Sequence, residues 1–368
     1  MGKGITAMVD AEAESLFQLE HIIGSDLKPY VRSIDADAYY PLEYMQAVGK
    51  EGCLYSAGKC DEQVHRKSLY LLQQTSKTCM TTGFNLWCQL ALLTYLRLSS
   101  NEQLKARFLQ PLEDGRLRGG TGLSNPMKYY AGMNAILLKA TRVNGGYVIN
   151  GNLPMVSNLG ENHLFAVIAE VEGERDEASS RIMLLVPFDS VGLKTKEQVG
   201  FLGLNGSATY ACKFEKVFIA DELVIAPDAD EFIKLVRPVF VLYQIPLGLG
   251  VIEASIRSIE QAKQKQAGSN RYLPIQAEAI AIKLEQLQAR MEQLLASSYD
   301  LSQVWHSLLQ LRLDTVYITL EAVEAAMLHQ GSGGYGLTSP PSRRLREAYF
   351  FANLTPTVRH LEKMLCRE

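Results

Sequence analysis

The chain has no Cys-x-x-Cys pair and no cysteine–histidine cluster at metal-ligand spacing, although cysteines stand at 53, 60, 79, 88, 212 and 366. Cys60 and His65 come nearest to a ligand pair, and a lone pair of this kind is more often structural, so no metal is expected. Nothing resembles a secretory leader, which makes reduced thiols and a cytoplasmic location the simplest expectation. Long basic runs are missing as well. Lys plus Arg number 37 against Asp plus Glu at 40, a net charge of −3, and nucleic acid has little electrostatic reason to bind. The longest apolar run, near Val239 to Ile252, falls short of the roughly 20 residues that span a bilayer and is interrupted by Gly and Pro. No membrane is expected, and no internal repeat or low-complexity tract is present.

What remains is the composition of a globular protein: 47% apolar and 21% charged residues over 368 positions, enough for two or three domains. Residues 1–114 follow a helical period. Within them Thr81 to Leu98 is apolar nearly all round, the pattern of a buried helix. Ser100 or Asn101 then caps a helix that Pro111 should end. Residues 115–228 change to short β-type runs, at Ala135–Val143, Tyr147–Asn150, His163–Glu170, Arg181–Pro187 and Ala208–Val217, with Asn144-Gly145-Gly146 as a hairpin turn. Residues 229–368 return to the helical period in four long segments, at Phe232–Gln266, Pro274–Ser298, Leu301–His329 and Pro341–Cys366. The expected fold is mostly α: an N-terminal helical domain, a central antiparallel β barrel or sandwich, and a C-terminal four-helix bundle.

Two kinds of segment could carry chemistry. Gln330-Gly331-Ser332-Gly333-Gly334-Tyr335-Gly336 is a glycine-rich connection between helices, where backbone N–H groups can approach an anion, or else a plain interhelical loop. Leu123-Ser124-Asn125-Pro126 and Met155-Val156-Ser157-Asn158 each set a hydroxyl beside an apolar residue at a strand end. A flavin ring needs such surroundings, apolar area against its face and a few donors at its oxygens, although Ser-Asn near a turn is also ordinary turn chemistry.

Taken together, and in this order, these segments resemble the acyl-CoA dehydrogenase family over nearly the whole chain from about residue 15. Leu123 to Pro126 stands for the family's Leu-Thr-Glu-Pro, Gly146 to Gly151 for its Gly-Tyr-x-hydrophobic-Asn-Gly, and Met155 to Asn158 for its Trp-Ile-Thr-Asn. Leu202 to Ser207 is similar to its Leu-Gly-x-Arg-Gly-Ser, and Phe214 to Val217 to its Phe-x-x-Val. The resemblance implies FAD, with Ser124 and Ser157 bonding the isoalloxazine and Leu123 and Met155 lying against it. It also implies that Gln330, Gly333, Gly334 and Gly336 receive the pyrophosphate and adenosine of a neighbouring subunit's FAD, in a homodimer or homotetramer. Thr357 matches a family threonine near the adenine.

Three departures accompany the resemblance. The family's Arg-x-x-Phe-Gly, whose arginine reaches an FAD phosphate, reads Gln264-Lys265-Gln266-Ala267-Gly268, with Lys263 or Lys265 left to supply a charge. Its acidic tip after Glu-Pro reads Met127-Lys128-Tyr129-Tyr130-Ala131-Gly132, bulkier and basic, which raises the prospect of an acyl-carrier protein in place of coenzyme A. The carboxylate of its Tyr-Glu-Gly-Thr falls on Thr355, in the register set by Arg346-Glu347-Ala348. The alternative family position for the base, on the first bundle helix, falls on Val236 or Pro238. The ionisable candidates nearby are Glu347, Tyr243, Glu253 and His360. The expected function is FAD-dependent α,β-dehydrogenation of an acyl thioester, with an electron-transfer partner and an atypical base. A flavin oxidase or monooxygenase on the same scaffold and an inactive paralogue stay open.

Overall fold

The computed structural model describes residues 18–172, 180–263, 265–297 and 301–366; Gln264, at the family's arginine position, lies outside them. After the π-helical turn Ile23–Leu27 come α1 (Val31–Ala36), α2 (Leu42–Lys50), α3 (Asp61–Thr78), α4 (Met80–Leu98) and α5 (Glu102–Glu113). Every residue of α4 from Met80 to Leu96 is buried, as its all-round apolar sequence requires. Three of its side chains bond to neighbouring elements. Asn85 donates to Gly206 O at 3.1 Å, Trp87 Nε1 donates to Phe240 O at 3.2 Å, and Gln89 Oε1 accepts from Gly119 N at 2.6 Å. Each of these bonds satisfies a group whose burial alone would be costly, and together they lock the first helical block to the strands and to the C-terminal helices.

Asn101 is the cap of α5, its Oδ1 accepting from Leu104 N at 3.0 Å. Pro111 does not end that helix, which runs on to Glu113. A proline in the last turn forfeits one backbone bond, and the buried Phe108 and Leu112 hold the turn by packing.

The strands are β1 (Arg118–Thr121), β2 (Leu138–Val143), β3 (Gly146–Val156), β4 (His163–Val171), β5 (Ser180–Pro187), β6 (Leu193–Gln198), β7 (Thr209–Ala220) and β8 (Val224–Ala226), with helix α6 (Ser124–Tyr130) after β1. They form one sheet in the order β6-β7-β3-β2-β4-β5-β8, with β1 also paired to β4. The sheet is mixed, not wholly antiparallel. Hairpins give antiparallel pairs, whereas β1 and β2 reach β4 through longer connections and lie parallel to it. The two share one edge of β4, β1 against His163–Ala166 and β2 against Glu170–Val171. A separate apolar core that includes Leu138, Ile149, Phe165, Leu184 and Phe214 fills this region. The edge strand β6, rich in Lys and Gln, was invisible as an apolar run.

Helices α7 (Ala229–Leu242), α8 (Ile245–Ala262), α9 (Ala277–Ser297), α10 (Trp305–Gln330), α11 (Pro340–Asn353) and α12 (Val358–Leu365) complete the chain. Two of the segments expected to be continuous are therefore broken, at Tyr243-Gln244 and at Leu354 to Thr357. The breaks meet: Gln244 Nε2 donates to Thr355 O at 2.9 Å. The segment Ala229–Ala262 is long and apolar enough to cross a membrane by composition, but 89% of its most apolar stretch is already buried inside the protein.

Candidate functional site

A cavity of ≈ 400 Å³ opens where α4, α7, the end of α11 and the strand region converge. Its floor is aromatic. Phe84 stacks on Trp87 with centroids 5.5 Å apart, Trp87 meets Phe240 edge-on at 4.7 Å, and Phe84 meets Phe350 edge-on at 4.8 Å. The lining also carries hydroxyls. Ser124 Oγ and Thr355 Oγ1 are 2.9 Å apart, Ser157 Oγ is 2.7 Å from Thr209 Oγ1, and Thr209 is 2.8 Å from Ser207 Oγ. Phe201, Leu202 and Gly203 close one side.

Local backbone chemistry places these groups. Ser124 opens α6 directly after β1. Ser157 leaves β3 and bridges Thr121, and the next residue, Asn158, turns the chain at φ 59°, a conformation asparagine tolerates better than most residues. Asn158 is fully buried, donates to Gly119 O at 2.7 Å and accepts from Tyr40 OH at 2.7 Å. The loop Phe201–Leu204 is fixed from below by Arg346, which pairs with Asp35 at 2.7 and 2.6 Å and donates to Leu202 O and Leu337 O.

The residues singled out in the sequence divide into two places. Ser124, Met155, Ser157 and Thr355 line the cavity. Leu123 does not: it is fully buried in the main core, because it precedes the first turn of α6 and points inward. Gln330, Gly333, Gly334 and Gly336 lie outside the cavity, in the connection from α10 to α11. There Gln330 Nε2 donates to Ser258 O at 3.0 Å and Gln330 Oε1 accepts from Lys265 Nζ at 2.8 Å. Lys263 is engaged elsewhere, with Glu278. A Cβ built at Gly333 or Gly336 would meet nothing within 4 Å, whereas one at Gly334 would come within 2.9 Å of Gln330 Cβ. Thr357 caps α12, accepting from His360 N at 3.3 Å.

None of the four ionisable candidates lines the cavity. Glu347 is buried, accepts from Met80 N at 3.1 Å and pairs with Arg343 at 2.9 Å; burial raises its pKa. Tyr243 bonds His65 Nδ1 at 2.8 Å, and burial pushes its phenol up to about 12. Glu253 pairs with Lys77 and Arg257. His360 is buried with neither ring nitrogen bonded, and burial, with Lys128 and Lys363 nearby, lowers it to about 4. Among the described residues no Asp, Glu, His or Lys lines the cavity. The aromatic floor was the part that sequence reasoning missed. Its signal was present in the helical spacing of Phe84, Trp87 and Cys88, which is also the spacing of ordinary core.

No protein-family model matches the chain. The Bacillus subtilis (strain 168) protein named Probable acyl-CoA dehydrogenase YngJ is 25% identical over 202 residues, 52% of each chain. Butyryl-CoA dehydrogenase from Megasphaera elsdenii superposes with a TM-score of 0.85 over 97% of both chains, at 14% identity. The fold of this chain is that of the acyl-CoA dehydrogenases. The chain spans about half the length of that Bacillus relative. The same fold is shared by the dibenzothiophene monooxygenase TdsC from Paenibacillus sp. A11-2, whose FMN-bound structure superposes with a TM-score of 0.81 over 96% of both chains at 16% identity. At position 355, where the resemblance led one to expect a carboxylate, the cavity is lined by a threonine.

Proposed function

We propose that the protein is an FAD-dependent oxidoreductase that removes hydrogen across a CH–CH bond of an acyl thioester, carried by coenzyme A or an acyl-carrier protein, and hands the electrons to a separate electron-transfer partner. The observation that carries this reading is the convergence of Ser124, Met155 and Ser157, far apart in sequence, on one cavity with an aromatic floor. Apolar walls and a row of hydroxyls fit a flavin ring. Bound there, the flavin would supply the hydride acceptor. Ser124, Ser157 and Thr209 would hold the ring's polar edge, and the apolar floor would exclude water. The glycine connection lies apart from the chain's own cavity and is open at Gly333 and Gly336, which suits a role toward the pyrophosphate of a second copy in a homodimer or homotetramer. All six cysteines are free thiols, in keeping with a cytoplasmic location.

One observation favours a second reading. With no carboxylate at the cavity, removal of an α-proton lacks the general base worth roughly 10² to 10⁴ in rate, and a flavin cycle that reacts with oxygen needs none; TdsC is a monooxygenase of this fold. The deciding experiment is to record the visible spectrum of the purified protein, add a panel of acyl thioesters without oxygen, and then admit air. Bleaching by a thioester supports dehydrogenation. A bound flavin that no thioester bleaches, and that reoxidises rapidly after chemical reduction, supports the oxygen-using reading. A colourless protein that takes up no added FAD refutes both.

A further inference from the structure

Arg312, in the middle of α10, is fully buried and has no carboxylate partner. Its Nε donates to Gln244 Oε1 at 3.0 Å and its Nη2 to Phe351 O at 3.0 Å. The guanidinium carbon stands 3.7 Å from the centroid of the Phe351 ring, and Nη1 has no partner. Arg97, Arg343 and Arg346 are enclosed with the carboxylates of Glu113, Glu347 and Asp35, whereas the buried Arg118 and Arg344 bond His163 and Ser258 instead; Arg312 is the most deeply buried of these. Burial lowers Arg312 to about 9, with no neighbouring charge contributing, so it remains cationic at neutral pH. A lone cation in a low-dielectric interior is strongly unfavourable unless something compensates it.

Gln244, and then the Thr355 turn that lines the cavity, stand between this cation and the cavity. Gln244 is fully buried and has both ends of its amide engaged, Oε1 by Arg312 and Nε2 by Thr355 O at 2.9 Å. Because Arg312 can only donate, it holds the amide with its NH₂ end toward the Thr355 turn. The dipole of Gln244 and the charge of Arg312 therefore point the same way, positive toward the cavity wall. The cost of the buried charge is recovered when the cavity holds an anion, since the interaction of two charges is weakly screened there.

We propose that Arg312, acting through Gln244, is a positioning residue that biases the cavity toward a negatively charged occupant, the reduced ring of a bound flavin. This rests on the flavin reading above. Reduction adds two electrons and one proton to the neutral oxidised ring, which leaves one net negative charge for the Arg312–Gln244 pair to favour.

The test compares wild type with Arg312→Met, Arg312→Lys and Gln244→Glu, each loaded with FAD, and measures the reduction potential of the bound flavin against a reference dye together with the affinity for oxidised FAD. Methionine fills much of the arginine volume without charge, a kind of replacement that buried ion sites often tolerate. Gln244→Glu tests the same field without touching Arg312. The expected result is that Arg312→Met and Gln244→Glu each weaken the binding of reduced relative to oxidised flavin by about tenfold, while Arg312→Lys stays close to wild type. A purely structural role would weaken both forms alike and would not be rescued by lysine. An unchanged ratio in Arg312→Met overturns the proposal. Failure of wild type to bind FAD would instead remove the flavin reading, and the proposal with it, before any variant is compared.

Discussion

Ser124 Oγ lies 2.9 Å from Thr355 Oγ1, across the seam between the strand region and the last helices. One member of the pair comes from the motif that resembles a flavin contact, and the other stands at the position that the resemblance assigns to the family's carboxylate. The contact places Thr355 within reach of whatever Ser124 binds. Its carbonyl is held from behind by Gln244, so the turn is not free to swing another residue into the same place.

It follows that Thr355→Glu should put a carboxylate at the cavity beside Ser124. If the missing base is all that separates this protein from an ordinary family member, anaerobic bleaching by an acyl thioester should rise by about 10² to 10⁴. Stopped-flow absorbance measures it directly. No gain, in a variant that still holds flavin, would mean that the cavity has been rebuilt for different chemistry.

Gly336 offers a test of dinucleotide binding that leaves the ring cavity untouched. A Cβ there meets nothing within 4 Å in the single chain, so Gly336→Leu should leave the melting temperature within about 2 °C of wild type, as expected of a surface change worth under ~0.5 kcal/mol. If the glycine connection receives a second copy's pyrophosphate, the same variant should lose FAD affinity while FMN affinity is unchanged. Equal retention of both flavins would remove the glycine connection from the binding site. Gly334 is the poorer choice, since its own Gln330 already crowds a new Cβ.

Much of this arrangement was legible in the sequence, and the limits were physical. α4 announced itself because a helix with no polar face has to be buried. The hairpin at Asn144-Gly145 was readable from residues that accept positive φ, and Gly145 adopts φ 79°. Ser124, Met155 and Ser157 were singled out through their surrounding motifs, and the fold brings them to one cavity. Leu123 was misplaced because apolar character does not tell which way a side chain leaves a turn. The parallel pairing of β1 and β2 with β4 depends on long connections, and the breaks in the C-terminal helices depend on Gln244 meeting Thr355, 111 residues away. Neither leaves a local trace. Arg312 was silent for the same reason, since a charged residue in a helical period reads as a solvated position.

His163 gives a prediction for stability. It is buried, its Nε2 accepts from Arg118 Nε at 2.8 Å and its Nδ1 donates to Asn158 O at 2.8 Å. Burial first, and then Arg118, lower its pKa from 6.5 to about 4, against the opposing bond to Asn158. Between those two values the unfolded chain binds a proton that the folded chain does not, so stability falls as pH drops through the window and is unaffected above it. The full loss is on the order of 3 kcal/mol. His163→Gln keeps an acceptor for Arg118 without titrating, and should show a shallower fall in melting temperature between pH 6.5 and 4. An identical slope would assign the acid sensitivity to other groups, His360 first.

Trp87 should set the depth of the cavity. It lies on one face of α4 with Phe84, Ala91, Thr94 and Leu98, a run at three- and four-residue spacing that looks toward α7. At the near end this face floors the main cavity. At the far end Thr94 and Leu98 line a second cavity of ≈ 280 Å³ with Pro238, Val239 and Tyr243. Between them stands the Trp87–Phe240 contact, with its rings 4.7 Å apart and its bond from Nε1 to Phe240 O. Shortening Trp87 to Leu should cost about 2 to 4 kcal/mol, less than full truncation to alanine, which denaturant melts would measure. It should also join the two spaces, so that in the thioester panel the longest acyl group that bleaches the flavin increases. A variant that loses the stability but keeps the wild-type length profile would show that the two cavities are separated by more than this pair of rings.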